Sequence, residues 1–212
     1  MSKLWNRFQE WRITKQVLPD TLVSAVRIRS LYRLARRIEE ERIAGDVIEC
    51  GVYKGGTAAV LARVAAKSKM ARTVWLFDSF QGMPPTTELD GEAAKEWVGK
   101  LATSPEDVRR VLEGNGANLE RVRIVAGMFQ ETFEQVSIPQ VALLNIDCDW
   151  YESVKLCLNK FYDCVTPGGF ISFDDYGYWP GCKLAVDEFM NKRALPYRLQ
   201  EVDDSARWFQ KV

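Results

Sequence analysis

Asp46-Val47-Ile48-Glu49-Cys50-Gly51-Val52-Tyr53-Lys54-Gly55-Gly56-Thr57 is the stretch that decides the fold. Asp46 to Cys50 reads as a short buried strand, and Thr57 to Ser68 as the helix that follows. The glycines between them make a tight strand-to-helix turn, where backbone can approach a ligand closely. Their spacing is G-x-x-x-G-G, not the G-x-G-x-x-G of a dinucleotide fold. Glu49, two residues before Gly51, suits an aminosulfonium ligand and would repel a pyrophosphate. Taken alone, the stretch also fits an ordinary glycine-rich turn.

The same alternation continues outward. Thr73–Phe77, Val122–Ala126, Val141–Ile146 and Phe170–Phe173 read as further strands. Glu106–Leu112, Tyr151–Cys164 and Cys182–Lys192 read as helices, the first opened by Ser104 as N-cap with Pro105 behind it. Strands alternating with helices predict an α/β fold with a mostly parallel sheet covered on both faces. Tyr197–Val202 and Arg207–Lys211, flanking Asp203-Asp204-Ser205-Ala206, predict an antiparallel hairpin at the C-terminal edge. Upstream, Leu31, Leu34, Ala35 and Ile38 mark one helix face, opposite Arg29, Arg33, Arg36 and Arg37. That basic face reads as solvated, with a subunit contact or anionic partner as the alternative. One domain over 1–212 is expected, with 1–44 as an N-terminal helical extension.

Composition narrows the chemistry. The 212 residues carry 29 Lys plus Arg against 29 Asp plus Glu, a net charge of zero that argues against a nucleic-acid partner. With no histidine, Ser-His-Asp and Cys-His nucleophiles and His-ligated zinc are excluded. Activity is then expected to lack a histidine-like step near pH ~6.5. No window suggests a signal peptide or a membrane span, and the five cysteines form no C-x-x-C pair. A cytoplasmic, reduced chain is expected. Cys148, between two aspartates, reads as inert because negative neighbours disfavour its thiolate. Trp5, Phe8 and Trp11 suggest an apolar surface seeking a partner, so a homodimer is expected.

Ligands of open α/β sheets bind beyond the carboxyl ends of the strands. Acids fall there repeatedly: Glu49, Asp78, Asp147, Asp174 and Asp175. Asp78 is placed to accept ribose hydroxyls, or else to cap the turn after it. Asp147 and Asp174-Asp175 end neighbouring strands, and a hard divalent cation would relieve their repulsion. Asp149 has two readings. Asp149-Trp150-Tyr151-Glu152 has the D-x-x-E form of a capping box, and the same carboxylate could contact metal or substrate.

These segments resemble the macrocin O-methyltransferase family. The matching stretches are Gly45–Thr57, Phe77–Pro84, Gly127–Thr132, Asp147–Ser153, Pro167–Gly169, Asp174–Tyr176 and Gly181–Phe189. The resemblance implies a Rossmann-like class I methyltransferase fold with a seven-stranded, mostly parallel sheet and a C-terminal antiparallel hairpin. It implies S-adenosylmethionine (SAM) and Mg²⁺ as cofactors and a small-molecule hydroxyl as acceptor, a sugar or vicinal diol of a natural product. By the same resemblance Glu49, Gly51, Tyr53, Gly55, Gly56 and Thr57 line the amino-acid end of SAM. Asp78 and Ser79 lie at the ribose, Phe129 and Gln130 at the adenine, and 84–103 form a lid over the acceptor. Asp147, Asp174 and Asp175 hold Mg²⁺, with Asp147 also beside the cofactor. Asp20-Thr21-Leu22-Val23-Ser24 departs from the Tyr-Thr-Met-type sequence of the family. Trp150 stands where related catechol enzymes carry a lysine base, which argues against their mechanism.

With no histidine, a carboxylate must accept the hydroxyl proton, Asp147 first and Asp149 second. Tyr53, Trp150 and Tyr151 either pack around the sulfonium or the sugar, or are plain core. Two rival readings are a nicotinamide-dependent oxidoreductase on the same sheet architecture and a non-catalytic SAM-binding protein.

Overall fold

The computed structural model describes residues 3–212. Seven strands form one sheet in the order β3-β2-β1-β4-β5-β7-β6. They are β1 (Asp46–Cys50), β2 (Val74–Asp78), β3 (Val122–Ala126), β4 (Val141–Ile146), β5 (Val165–Phe173), β6 (Gln200–Glu201) and β7 (Arg207–Gln210). Strands β1 to β5 run parallel, while β7 pairs antiparallel with both β5 and β6. The expected hairpin is present, though its first strand is shorter than Tyr197–Val202.

The helices are α1 (Lys3–Val17), α2 (Ala25–Glu40), α3 (Gly56–Ala65), α4 (Pro105–Gly114), α5 (Phe129–Thr132), α6 (Tyr151–Phe161) and α7 (Pro180–Lys192). Successive residues of a strand face opposite ways, and the core divides accordingly. Val47, Leu143 and Phe170 join residues of α1 to α4 on one face. Ile48, Leu144 and Ile171 join α6 and α7 on the other. Both faces are therefore covered, and the parallel strands carry near-continuous apolar side chains for that reason.

Two local signals hold. Leu31, Leu34, Ala35 and Ile38 are the buried stripe of α2. Ser104 caps α4, accepting from the Asp107 N–H at 3.1 Å. Strand β5 begins earlier than Phe170, at Val165. Its pairing with β4 shifts between Val141 and Leu143, a bulge at which Gly168 takes φ +86°. Pro167-Gly168-Gly169 reads locally as a loop, and the bulge is what lets the ladder continue through it.

Strands β1 and β4 lie side by side although β2 and β3 intervene in the chain. The connections from β1 and β4 therefore leave in opposite directions, which opens a crevice above their carboxyl ends.

Candidate active site

A cavity of about 510 Å³ fills that crevice. It is built first from the turn after β1. Gly51 has φ +88°, and a Cβ there would lie 1.7 Å from the Asp147 carbonyl oxygen. Only glycine allows the two strand ends to approach so closely. Asp147 N–H donates to Cys50 O at 2.8 Å, so the crossing is also hydrogen-bonded. Gly56 packs on the chain ahead of α2, where a Cβ would come within 2.8 Å of Asp20 O.

Asp78 closes the next wall. Its Oδ2 accepts from the Val52 N–H at 2.7 Å and the Tyr53 N–H at 3.0 Å, and its Oδ1 accepts from Phe80 N–H at 2.8 Å. The turn-capping role is therefore real, and the same carboxylate also anchors the glycine turn. Gly51, Tyr53, Thr57, Asp78, Ser79, Phe129 and Gln130 all face the cavity. Phe129 stacks on Phe133, with ring centroids 4.8 Å apart. Gly55 and Gly56 support the turn without lining the cavity. Glu49 is also off the cavity surface and fully buried. It accepts from Asn145 Nδ2 at 3.0 Å and bonds Thr57, while its Oε2 has no partner. Burial, then the charges of Asp174 and Asp78, push its carboxyl up to about 8 against the hydrogen bonds.

The acidic end of the cavity is the second element. Asp147, Asp174 and Asp175 each offer a carboxylate oxygen, all within 4.8 Å of one another. Burial comes first, and neighbouring carboxylates second, in holding Asp147 and Asp175 far above the usual carboxylate range. Asp175 Oδ2 is buried with no partner. Arg27, on α2, reaches into the cluster. Its Nη1 lies 2.5 Å from Asp174 Oδ2 and its Nε 2.9 Å from Asp203 Oδ2. One guanidinium serves three close carboxyl groups. The oxygen-only donor set, the close carboxylates and the orphaned oxygen fit a hard divalent cation.

Asp149 resolves in favour of the cavity. The capping box does not form, because Trp150 is the N-cap of α6 and no side chain of the tetrad caps it. Asp149 instead lines the cavity, in a left-handed backbone conformation with φ +58°. Its carboxyl is pushed up to about 7, by burial first and the Asp174 charge after it, against a hydrogen bond from Trp179. Cys148 is buried, with its thiol raised by burial first, as the inert reading requires. Tyr53 and Trp150 line the cavity, whereas Tyr151 is buried elsewhere and its hydroxyl bonds Glu188 at 2.6 Å. The basic face of α2 is largely paired within its own neighbourhood: Arg33 with Glu10, Arg36 with Glu40 and Arg37 with Glu41.

Of the further walls, 84–103 was expected as a lid and 20–24 as a departure from the family's pattern, whereas Arg27 and Trp179 were not singled out for the site. Thr21, Leu22, Val23 and Arg27 precede or begin α2, and Trp179 precedes α7. Pro84, Pro85, Thr87, Asp90, Trp97 and Leu101 come from 84–103, which does border the cavity. For Trp179 the local signal is the Pro180 that follows it, since Pro favours the first turn of a helix.

Comparison with known proteins agrees with this geometry. The family model of macrocin O-methyltransferase (TylF) matches residues 9–211. Demethyldecarbamoylnovobiocin O-methyltransferase of Streptomyces niveus is 34% identical over 200 residues, covering 91% of this chain and 76% of the relative. Mycinamicin III 3''-O-methyltransferase of Micromonospora griseorubida is 31% identical, covering 86% of this chain and 75% of its own. Among solved structures, the O-methyltransferase NovP superposes with a TM-score of 0.80 at 31% identity, over 91% of this chain and 82% of that one. The calicheamicin methyltransferase CalS11, at 20% identity and a TM-score of 0.72 over 99% and 94% of the two chains, shares the fold.

Proposed function

The chain belongs to the macrocin O-methyltransferase family, and on that premise we propose that it methylates a hydroxyl of a sugar or vicinal diol in a natural product, with Mg²⁺ bound. SAM-dependent O-methyl transfer follows from the membership and the fold. The observation that carries the metal is the Asp147, Asp174 and Asp175 cluster, on the wall of the cavity that the glycine turn and Asp78 also line.

Asp147, Asp174 and Asp175 would hold the Mg²⁺, which when bound supplies polarisation that lowers the pKa of a coordinated hydroxyl. Burial raises the Asp174 carboxyl, and the Arg27 guanidinium paired with it works against that rise. Proton removal falls to a carboxylate. Asp147 has an oxygen in the cluster, whereas Asp149 stands outside it and is free of helix-capping duty. We therefore assign the proton to Asp149, which borders the cavity beside the cluster. Asp78 and the Gly51 turn position the cofactor end, and Phe129 offers a ring face for a base. Trp150, Trp179 and the 84–103 segment, acting as a lid, enclose the acceptor and exclude water.

Methyl transfer from SAM to a panel of sugar and vicinal-diol acceptors, with Mg²⁺ or with chelator, tests the reading. Transfer that chelator abolishes and Mg²⁺ restores is expected. Transfer indifferent to chelator refutes the metal, and transfer confined to other nucleophiles refutes the acceptor class.

A homodimer would cover the exposed Phe8 and Trp11 of α1, and sedimentation of wild type against Trp11→Glu checks it. Cytoplasmic residence is checked by fractionation. No helix among the described residues is long and apolar enough to cross a membrane.

A further inference from the structure

The N-terminus of α6 follows directly on the loop that carries Asp147 and Asp149. Trp150 opens the helix without a side-chain cap, so its first N–H groups need acceptors from elsewhere. The 84–103 segment provides one. Asp90 Oδ1 accepts the Tyr151 N–H at 2.7 Å. Its Oδ2 accepts from Thr87 N–H at 2.7 Å and from the Thr87 hydroxyl at 2.9 Å. Asp90 is 1% exposed, and each of its oxygens is satisfied. A carboxylate at this end of a helix is favoured by the aligned peptide dipoles.

The surrounding chain is shaped to this contact. A Cβ on Gly181 would lie 2.1 Å from Asp90 Oδ1 and 2.9 Å from Tyr151 N, so α7 can pass only as glycine. A second tether runs beside the first, Trp150 Nε1 donating to Pro84 O at 3.0 Å. At its other end the loop is pinned by Asp147 N–H on Cys50 O. Between the pins, Asp149 is held at φ +58°, and Trp150 N–H closes the turn on Cys148 O at 2.7 Å. A non-glycine residue in that region persists only where its surroundings over-determine it.

We infer that Asp90 is a positioning residue: by capping α6 from the segment over the cavity, it fixes the loop that presents Asp147 and Asp149. Docking of that segment and alignment of the two carboxylates are then one event. The catalytic half of the inference rests on the methyl-transfer reading above, while the structural half stands on the hydrogen bonds alone.

Wild type, Asp90→Ala and Asp90→Asn are compared by two measurements. The first is amide hydrogen exchange of the ligand-free protein. The second is steady-state methyl transfer from SAM to a diol or sugar acceptor with Mg²⁺. In Asp90→Ala, exchange over 147–154 rises about tenfold or more while β1 and β2 keep wild-type protection. The kcat falls about tenfold or more, and the KM for SAM stays within about twofold. Asp90→Asn keeps one carbonyl oxygen for the Tyr151 N–H but turns an amide toward the Thr87 N–H, so it recovers part of both losses. Unchanged exchange over 147–154 overturns the inference whether or not the wild type turns over. Faster exchange with wild-type kcat overturns it too, since the cap would then be structural only. Faster exchange together with a wild type that methylates no hydroxyl acceptor refutes the methyl-transfer reading. In that case the fixing of 147–154 by Asp90 stands.

Discussion

The substitution Glu49→Gln should flatten the pH dependence of folding stability. Glu49 is fully buried, bonded to Asn145 and Thr57, with Oε2 unpartnered. Its carboxyl moves from an ordinary 4.5 up to about 8 on folding. In that window the folded chain holds a proton that the unfolded chain has released. Stability therefore falls as pH rises from the lower value to the upper one. At ~1.36 kcal/mol per unit, the loss between pH ~5.5 and pH ~8 is about 3 kcal/mol. The glutamine side chain would keep an oxygen for Asn145 and carry no proton to lose. Urea unfolding of both proteins, free of metal and cofactor, reads the difference. Asp147, Asp174 and Asp175 also favour the protonated form in the folded state, but they act on both proteins and largely cancel in the comparison. The two stability curves should diverge by about 3 kcal/mol across this range, or roughly 6–12 °C in Tm for a domain of this size. Curves parallel to within about 0.5 kcal/mol would refute the assignment of a protonated, buried Glu49.

The other expectations concern the cavity walls. Mg²⁺ should raise the Tm of the wild type by several degrees or more at saturating concentration, and Asp175→Asn should remove most of that rise. An equal rise in both proteins would place the ion elsewhere. Asp78→Ala should weaken SAM binding by about tenfold to a hundredfold, because it frees the Val52 and Tyr53 N–H groups as well as losing an acceptor, as calorimetry would show. Gly51→Ala should destabilise by more than about 4 kcal/mol, since its Cβ meets the Asp147 carbonyl at positive φ. A soluble Gly51→Ala protein with wild-type Tm would contradict the close crossing of the two strands.

Much of this site was legible because its logic is local. A strand followed by glycines reads as a ligand-binding turn. Acids at the ends of neighbouring strands read as a charge cluster, and Asp147, Asp174 and Asp175 do converge. What was hidden depends on distant partners. Asp149-x-x-Glu152 has the local form of a capping box, yet the cap is Asp90, separated from Tyr151 by 61 positions. The cap therefore came from a segment that sequence spacing cannot place. The zero-histidine count points the chemistry toward carboxylates. It says nothing of a carboxyl that burial lifts, as at Asp149, pushed up to about 7 in the ligand-free protein. Desolvation is a property of the packed cavity and leaves no mark on composition.

Arg27 ties the stretch ahead of β1 to the far end of the chain. It belongs to the stretch that the sequence divides off as an extension, yet it bridges Asp174 and Asp203 from two other parts of the chain. Thr21, Leu22 and Val23 beside it complete the cavity wall, and Ile13 and Val17 are buried in the core. A shortened protein starting at β1 would expose that apolar surface and leave a cluster of acids without its internal cation.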